Sequence, residues 1–367
     1  MKILVVVRTF KKGGGISQWV YDYYNMLSAK KDIVIDFISE DGIENDPTFN
    51  LSSSINILSV TKIKDNPLKY YFDWKNIVNK CGSQYNFIHI HTDNVVRFFY
   101  LNLLKKKKNV IIHSHNSYNH FVEKNLLKKI MNYHGKRIVK KANFIHFACS
   151  DLAAKWLFDD QEYIQVNNGV DLKKFQFDDD ARQRLLATLD LEGKTVYGHI
   201  GRFSYQKNHK KLIKIFKNIL KENENSVLLL IGTGELEDQI KKQVIEDNLA
   251  ENVLFLGIRN DVNELLNVMD YIIFPSHYEG LPISLVEAQA NGVPVFFADT
   301  ITKDVCLLPE SFSFSLDESS NDIAEKIVNS HISIDRKKAN QIVKDKGYDK
   351  SDVEDWLYRF YKGEVQK

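Results

Sequence analysis

Apolar residues fall along this chain in two alternating textures. Short runs that are almost wholly apolar occur at 3–7, 33–38, 55–60, 87–91, 110–113 and 144–148. Between several of them, at 17–29, 68–80, 94–104 and 121–142, apolar residues recur every three to four positions. Strands buried on both faces and separated by amphipathic helices predict a parallel sheet covered on both sides. The pattern then repeats, with strands predicted at 195–200, 227–231, 253–256, 271–275, 293–298 and 312–314 and helices at 207–221, 235–247, 262–267 and 282–290. Asn168-Gly169 between the two halves is a turn signal, and the charged stretch 173–180 reads as a hinge or surface linker. The division is therefore 1–170, 171–350 and a terminal helix over 351–367. Trp356, Leu357, Phe360 and Tyr361 must bury somewhere, and that helix could cross back to the first domain. The expected architecture is α/β, two Rossmann-like domains facing a central cleft, with ligands at the C-terminal strand ends.

Composition narrows this picture. An apolar share of 44% in 367 residues excludes a disordered chain and suits two domains. Cys81, Cys149 and Cys306 are too few and too widely spaced for a disulfide framework or a CxxC zinc site. No apolar run approaches the ~18–20 residues of a membrane span. The apolar start, closed by Arg8, is short for a signal-peptide core and reads as a first strand, so a cytoplasmic location is expected. The net charge of +2 hides an asymmetry: residues 1–170 carry 24 basic and 15 acidic side chains, and the remainder carries 26 and 33. Such an imbalance suggests a charged partner for the first half.

Candidate chemistry sits where strands end. Gly13-Gly14-Gly15 follows the first strand and precedes a helix, so backbone amides could approach an anion; a plain surface turn fits equally. Gly201-Arg202-Phe203-Ser204-Tyr205-Gln206-Lys207 leaves the first strand of the second half, placing a guanidinium and an ammonium where a diphosphate could be neutralised, or two solvated charges. The strongest segment is 275–287. It turns through Gly280 and starts a helix at Pro282, so the amides of Gly280, Leu281, Pro282's neighbours and the helix dipole would hold an anion. Glu279 and Glu287 flank that position, as two hydroxyl-binding carboxylates would flank a nucleotide sugar; the alternatives are a dipole partner and a solvated helix residue. His113 and His115 have metal-like spacing but no evident third ligand, and His89 and His91 read as buried residues or cleft lining. The Asp178–Asp180 DxD reads as solvated.

Taken in order, these segments resemble the retaining glycosyltransferases of family 4, which have the GT-B fold. The resemblance spans essentially the whole chain: the glycine-rich loop at 13–15, HSHN at 113–116, NNGVD at 167–171, GRFSYQKN at 201–208, Gly257 onward, and the E-x7-E of Glu279 and Glu287. It implies that Arg202 and Lys207 hold the donor diphosphate, that Glu279 binds donor-sugar hydroxyls and that Glu287 binds the ribose. It also implies that Gly14 and Gly15 close on the phosphates and that His115 lies near the transferred sugar. Gly257 and Arg259 fall where the base is received. The subset carrying RTFKKGGG and HSHN looks like bacterial capsule and exopolysaccharide transferases. That implies a UDP-linked hexose or N-acetylhexosamine donor as co-substrate, no cofactor, no metal, and a glycan or lipid-linked glycan acceptor. A non-hydrolysing nucleotide-sugar epimerase and a non-catalytic nucleotide-sugar-binding subunit are the alternatives.

Residues 101–141 hold eleven basic side chains and one acid, Glu123. An apolar stripe of Val122, Leu126, Leu127, Ile130, Met131, Ile138 and Val139 is expected to pack as core. The lysines around it suit the anionic inner leaflet of a membrane, with each basic residue worth ~1 kcal/mol there. No nucleic-acid-binding module accompanies the charge.

Overall fold

Every short apolar run becomes a parallel strand. The computed structural model describes residues 1–44, 46–330 and 334–365, with the side chains of 81–83, Cys81 included, outside that description. The chain forms two compact units, one of residues 1–167 with 353–367 and the other of 168–352.

The first unit holds β1 (Lys2–Val7), β2 (Val34–Ser39), β3 (Asn56–Leu58), β4 (Phe87–Thr92), β5 (Val110–Ser114), β6 (Ile145–Ala148) and β7 (Ile164–Gln165), in spatial order β3-β2-β1-β4-β5-β6-β7. The two-residue β7 is too short to leave a pattern in the sequence. Helix Gly15–Ser28 packs Trp19, Val20, Tyr23, Tyr24 and Leu27 against the sheet. The last helix, Lys350–Lys362, closes the same core with Val353, Leu357, Phe360 and Tyr361. Its Phe360 ring lies 5.0 Å from Phe147 and 5.8 Å from Phe87. Burial of side chains this large contributes about 1.5–3 kcal/mol each, so the helix is an integral part of the first unit.

The second unit holds β8 (Thr195–Ile200), β9 (Ser226–Ile231), β10 (Val253–Gly257), β11 (Tyr271–Phe274), β12 (Val295–Ala298) and β13 (Phe312–Phe314), ordered β10-β9-β8-β11-β12-β13. Helices His209–Glu222 and Ser320–Val328 bury their apolar faces in one core with β8 and β9. In both units the chain order reverses beside the first strand, between β1 and β4 and between β8 and β11. Such switch points leave a crevice at the C-terminal strand ends.

Three expectations change. The charged stretch 173–180 is no free linker: Leu172 and Phe175 are buried in the second unit, and Asn340 Nδ2 donates to the Leu172 carbonyl at 2.7 Å. The single helix expected over 121–142 is two, His120–Glu123 and Leu126–Lys141, because Asn125 stops the first and caps the second by accepting from Lys128 N. The apolar stripe is core only at Val122 and Val139. Leu126, Leu127 and Ile130 are 75%, 66% and 57% exposed, with Phe121 and Tyr133 exposed beside them. The buried face is instead Asn132, Gly135 and Val139. Gly135 sets that choice, since a Cβ there would sit 2.1 Å from the Val95 carbonyl, and Asn132 Oδ1 accepts from Val95 N at 2.9 Å.

Candidate functional site

Two loops of the second unit leave adjacent strands on either side of its switch point. Residues 201–208 follow β8, and 275–282 follow β11. Gln206 ties them together: its carbonyl accepts from His277 N at 2.8 Å and its Nε2 donates to the Tyr278 carbonyl at 3.0 Å, while the Tyr205 and His277 rings stack at 4.5 Å. On the far side, buried Asn168 donates to the Leu281 carbonyl at 2.8 Å. The NNGVD segment thus does more than turn the chain, because its second asparagine fixes the loop that carries Glu279.

Lys207 and Glu279 meet in this crevice at 2.8 Å, and both are largely buried. Lys207 ends a short 3-10 turn, Tyr205–Lys207, rather than starting the helix, and Asn208 with φ 53 separates the two. Its ammonium also lies 4.3 Å from the Phe274 ring. Beneath it sit His199 and His209, which burial holds neutral with pKa values about 3 and about 2. Among the described residues Glu279 is the one counter-ion of this ammonium, and the rings beneath it add no charge.

Gly280, Leu281 and Pro282 are buried, and the helix after them runs Ile283–Ala290 with Pro282 as its N-cap, one position earlier than expected for a first-turn proline. Pro282 makes no side-chain cap there, and the positive end of the helix faces the loop. Glu287 lies half-buried in the second turn. Arg202 is exposed and pairs with Glu235 at 3.1 Å. Glu235 belongs to Gly232-Thr233-Gly234-Glu235, a motif the sequence reading passed over. Both glycines are needed: a Cβ on Gly232 would lie 2.2 Å from the Gly201 carbonyl, and one on Gly234 2.4 Å from the Phe203 carbonyl. A second Gly-x-Gly directly after an apolar run was the available signal. Gly257 ends β10 with φ +64, and Arg259 beyond it is held by Asp261 at 2.8 Å. Asp178 of the DxD accepts from Ala181 N at 3.0 Å, which makes it a helix cap.

In the first unit, Gly14 is the N-cap and Gly15 the first residue of helix Gly15–Ser28, again with no capping side chain and no acid in the first turn. His115 follows β5. Strand alternation and the pairing of His91 with His113 across β4 and β5 put His89, His91, His113 and His115 on one face. His91 Nδ1 and His115 Nε2 are 2.9 Å apart. Burial holds the His115 imidazole neutral, with a pKa of about 3. Among the described residues, His89, His91 and His113 are the one group close enough to share an ion, their ligand atoms lying within 4.8 Å. The His89 and His91 rings stack at 4.1 Å, so their lone pairs run side by side instead of converging. At the end of β2, buried Glu40 receives the Tyr70 hydroxyl and lies 3.7 Å from Arg97. Burial outweighs both and lifts its pKa to about 7.

Comparison with known proteins gives this chemistry a family. The profile of "Glycosyl transferases group 1" matches residues 183–329. EpsF of Bacillus subtilis (strain 168), named as a glycosyltransferase, is 30% identical over 306 residues, 80% of this chain and 78% of EpsF. An Escherichia coli UDP-Gal:alpha-D-GlcNAc-diphosphoundecaprenol alpha-1,3-galactosyltransferase is 33% identical over 186 residues, 49% of this chain and 47% of that enzyme. Among solved structures, Anabaena HepE in complex with UDP-glucose matches with a TM-score of 0.78 at 18% identity, covering 99% of this chain and 100% of that one. The chain belongs to the group 1 glycosyltransferases, and its two parallel-sheet Rossmann-like units are those of the GT-B fold.

Proposed function

We propose that this glycosyltransferase moves a hexose or N-acetylhexosamine from a UDP-linked sugar to a lipid-linked glycan acceptor in cell-surface polysaccharide synthesis. Transfer proceeds with retention of configuration and without a metal ion or other cofactor. The observation that carries the reading is the Lys207–Glu279 pair beside an uncapped helix start, at the switch point of the second unit. Breaking the anomeric C–O bond leaves negative charge on the diphosphate. Lys207, Arg202 and the helix N-terminus at Gly280, Leu281 and Pro282 stabilise that charge more in the transition state than in the ground state. Donor binding exchanges the partners of the pair: Lys207 turns to the diphosphate, and Glu279 is released to accept from sugar hydroxyls. Glu287 takes the ribose, Gly257 and Arg259 receive the base, Gly14 and Gly15 close on the phosphates, and His115 stands beside the transferred sugar.

The UDP-galactose and diphosphoundecaprenol in the name of one relative and the UDP-glucose bound by HepE support the donor and acceptor classes. No helix among the described residues is long and apolar enough to cross a membrane. The protein acts in the cytoplasm and docks peripherally on the anionic inner leaflet through the lysines of Leu126–Lys141, with the exposed Leu126, Leu127 and Ile130 among them. A panel of nucleotide sugars, scored for nucleotide release with and without lipid-linked acceptor, tests the reaction. Acceptor-dependent release from a UDP-sugar, an α-linked product from an α-linked donor and indifference to chelator are expected. Loss of activity on chelation would overturn the metal-free mechanism. Liposome flotation at low salt tests docking, and equal recovery on neutral and anionic vesicles would exclude it.

A further inference from the structure

The four histidines of β4 and β5 are joined by two tyrosines into one hydrogen-bonded series. His115 Nε2 meets His91 Nδ1 at 2.9 Å; His91 Nε2 meets the Tyr24 hydroxyl at 3.0 Å; Tyr24 meets the Tyr361 hydroxyl at 3.0 Å. Tyr361 meets His89 Nδ1 at 2.6 Å, and His89 Nε2 meets His113 Nδ1 at 3.3 Å. A cross-contact of 2.8 Å joins Tyr24 to His89 Nδ1. All but His115 are fully buried. Tyr361 comes from the last helix, so this series links the C-terminal segment of the first unit to His115.

We infer that Tyr24 is a positioning residue that, at the junction of this series, holds His115 in the tautomer carrying its proton on Nδ1, with Nε2 accepting from His91. A neutral imidazole has one N–H and a phenol one O–H, so the five successive contacts can be filled in only two ways, with every proton pointing toward His115 or every proton pointing away. Burial, with repulsion among the rings, keeps all four neutral. Two observations choose between the directions. His113 Nε2, at the far end, is buried and meets no partner among the described residues. Protons pointing away from His115 would put an orphaned N–H there, whereas protons pointing toward it leave a bare lone pair, the less costly defect. The cross-contact agrees. With protons running toward His115, the His89 Nδ1–H is shared between both tyrosine oxygens and all six contacts hold a proton. In the other direction the Tyr24 proton is committed to Tyr361, and the cross-contact holds none. His115 thereby presents an N–H donor, suited to a hydroxyl, phosphate or ring oxygen.

The consequence for catalysis rests on the reading of His115 as a residue of the reacting site; the tautomer does not. Long-range ¹H–¹⁵N correlation spectra of histidine-labelled full chain, with the His115 signals assigned by their loss in His115→Gln, read the tautomer directly. Nδ1 protonation is expected in the parent chain, with a shift toward Nε2 protonation in Tyr24→Phe, whereas Tyr361→Phe keeps Nδ1 protonation because the 2.8 Å contact of His89 with Tyr24 bypasses the lost hydroxyl. Thermal unfolding shows whether Tyr24→Phe folds, and if it does not, the tautomer of the parent chain decides. Nε2 protonation in the parent chain, or an unchanged His115 spectrum in folded Tyr24→Phe, would overturn the inference. A lowering of kcat by at least about tenfold at constant donor KM in Tyr24→Phe is expected, since a wrong tautomer disables a working imidazole. A shifted tautomer with unchanged kcat would support the inference and remove His115 from the reaction.

Discussion

The two units share a strand order and a switch point but furnish their strand ends differently. In the second, charges stand in pairs: Lys207 with Glu279, Arg202 with Glu235, Arg259 with Asp261. In the first, an ion pair of Arg97 with Asp41 after β2 stands beside something the second lacks among its described residues, neutral rings and hydroxyls in one series from His115 to Tyr361. An ion pair costs desolvation and is readily exchanged for another ion, which suits a ligand that arrives charged and leaves more charged. A series of neutral hydrogen bonds is rigid and specifies proton positions, which suits a group that must be aimed. One architecture thus supplies two kinds of electrostatics, the paired charges from loops after the strands and the neutral series from side chains of β4, β5 and two helices.

The most severe way to break this comparison is Lys207→Ala. Turnover should fall on the order of a hundred- to a thousandfold, as for other groups that meet developing charge, measured by nucleotide release. Near-parent kcat would mean that the pair is only structural. Next is Arg336→Ala, which separates a structural cation from functional ones. Arg336 donates to the carbonyls of Leu266, Met269 and Asn291 at 2.9–3.1 Å. Each carbonyl orphaned costs ~1–3 kcal/mol, so the unfolding midpoint of the second unit should drop by several degrees, read by calorimetry.

Glu40→Gln tests the neutral half. With its pKa raised from 4.5 to about 7, Glu40 keeps a proton in the folded state that the unfolded chain releases between those values. Its contribution to stability is therefore present at low pH and lost as pH rises through that window. Urea unfolding at pH 5 and pH 8 should show a smaller difference in Glu40→Gln than in the parent; an equal difference would mean that Arg97 keeps the carboxylate charged. The smallest effect belongs to Glu235→Gln. The exposed pair with Arg202 is worth under about 1 kcal/mol to the fold, so stability should hold while donor KM changes modestly.

How far the sequence revealed this depended on distance along the chain. The strands were legible because a two-sided sheet needs uninterrupted apolar runs, and β8 and β13 lie at the positions their patterns predict. Lys207 and Glu279 were legible as strand-end residues, although their pairing was not. The apolar stripe at Leu126, Leu127 and Ile130 misled, because periodicity says that a helix has an apolar face and not that the face is covered. Gly135 decided that through one close backbone approach. The role of Asn168 was hidden because its partner, Leu281, lies 113 positions away, and Tyr24 and Tyr361 are separated by 337. No local pattern announces contacts of that span.

The return of residues 353–367 to the first unit also sets an order of assembly. Domains emerging from a ribosome generally fold in sequence, the first before the second. Here the first unit lacks Leu357, Phe360 and Tyr361 until the whole second unit has been synthesised. The earlier-made half must wait, partly open and with its aromatic surface exposed, and it finishes last. A chain released before residue 353 would then leave a complete second unit attached to an uncovered first one, a species for chaperones and proteases to recognise.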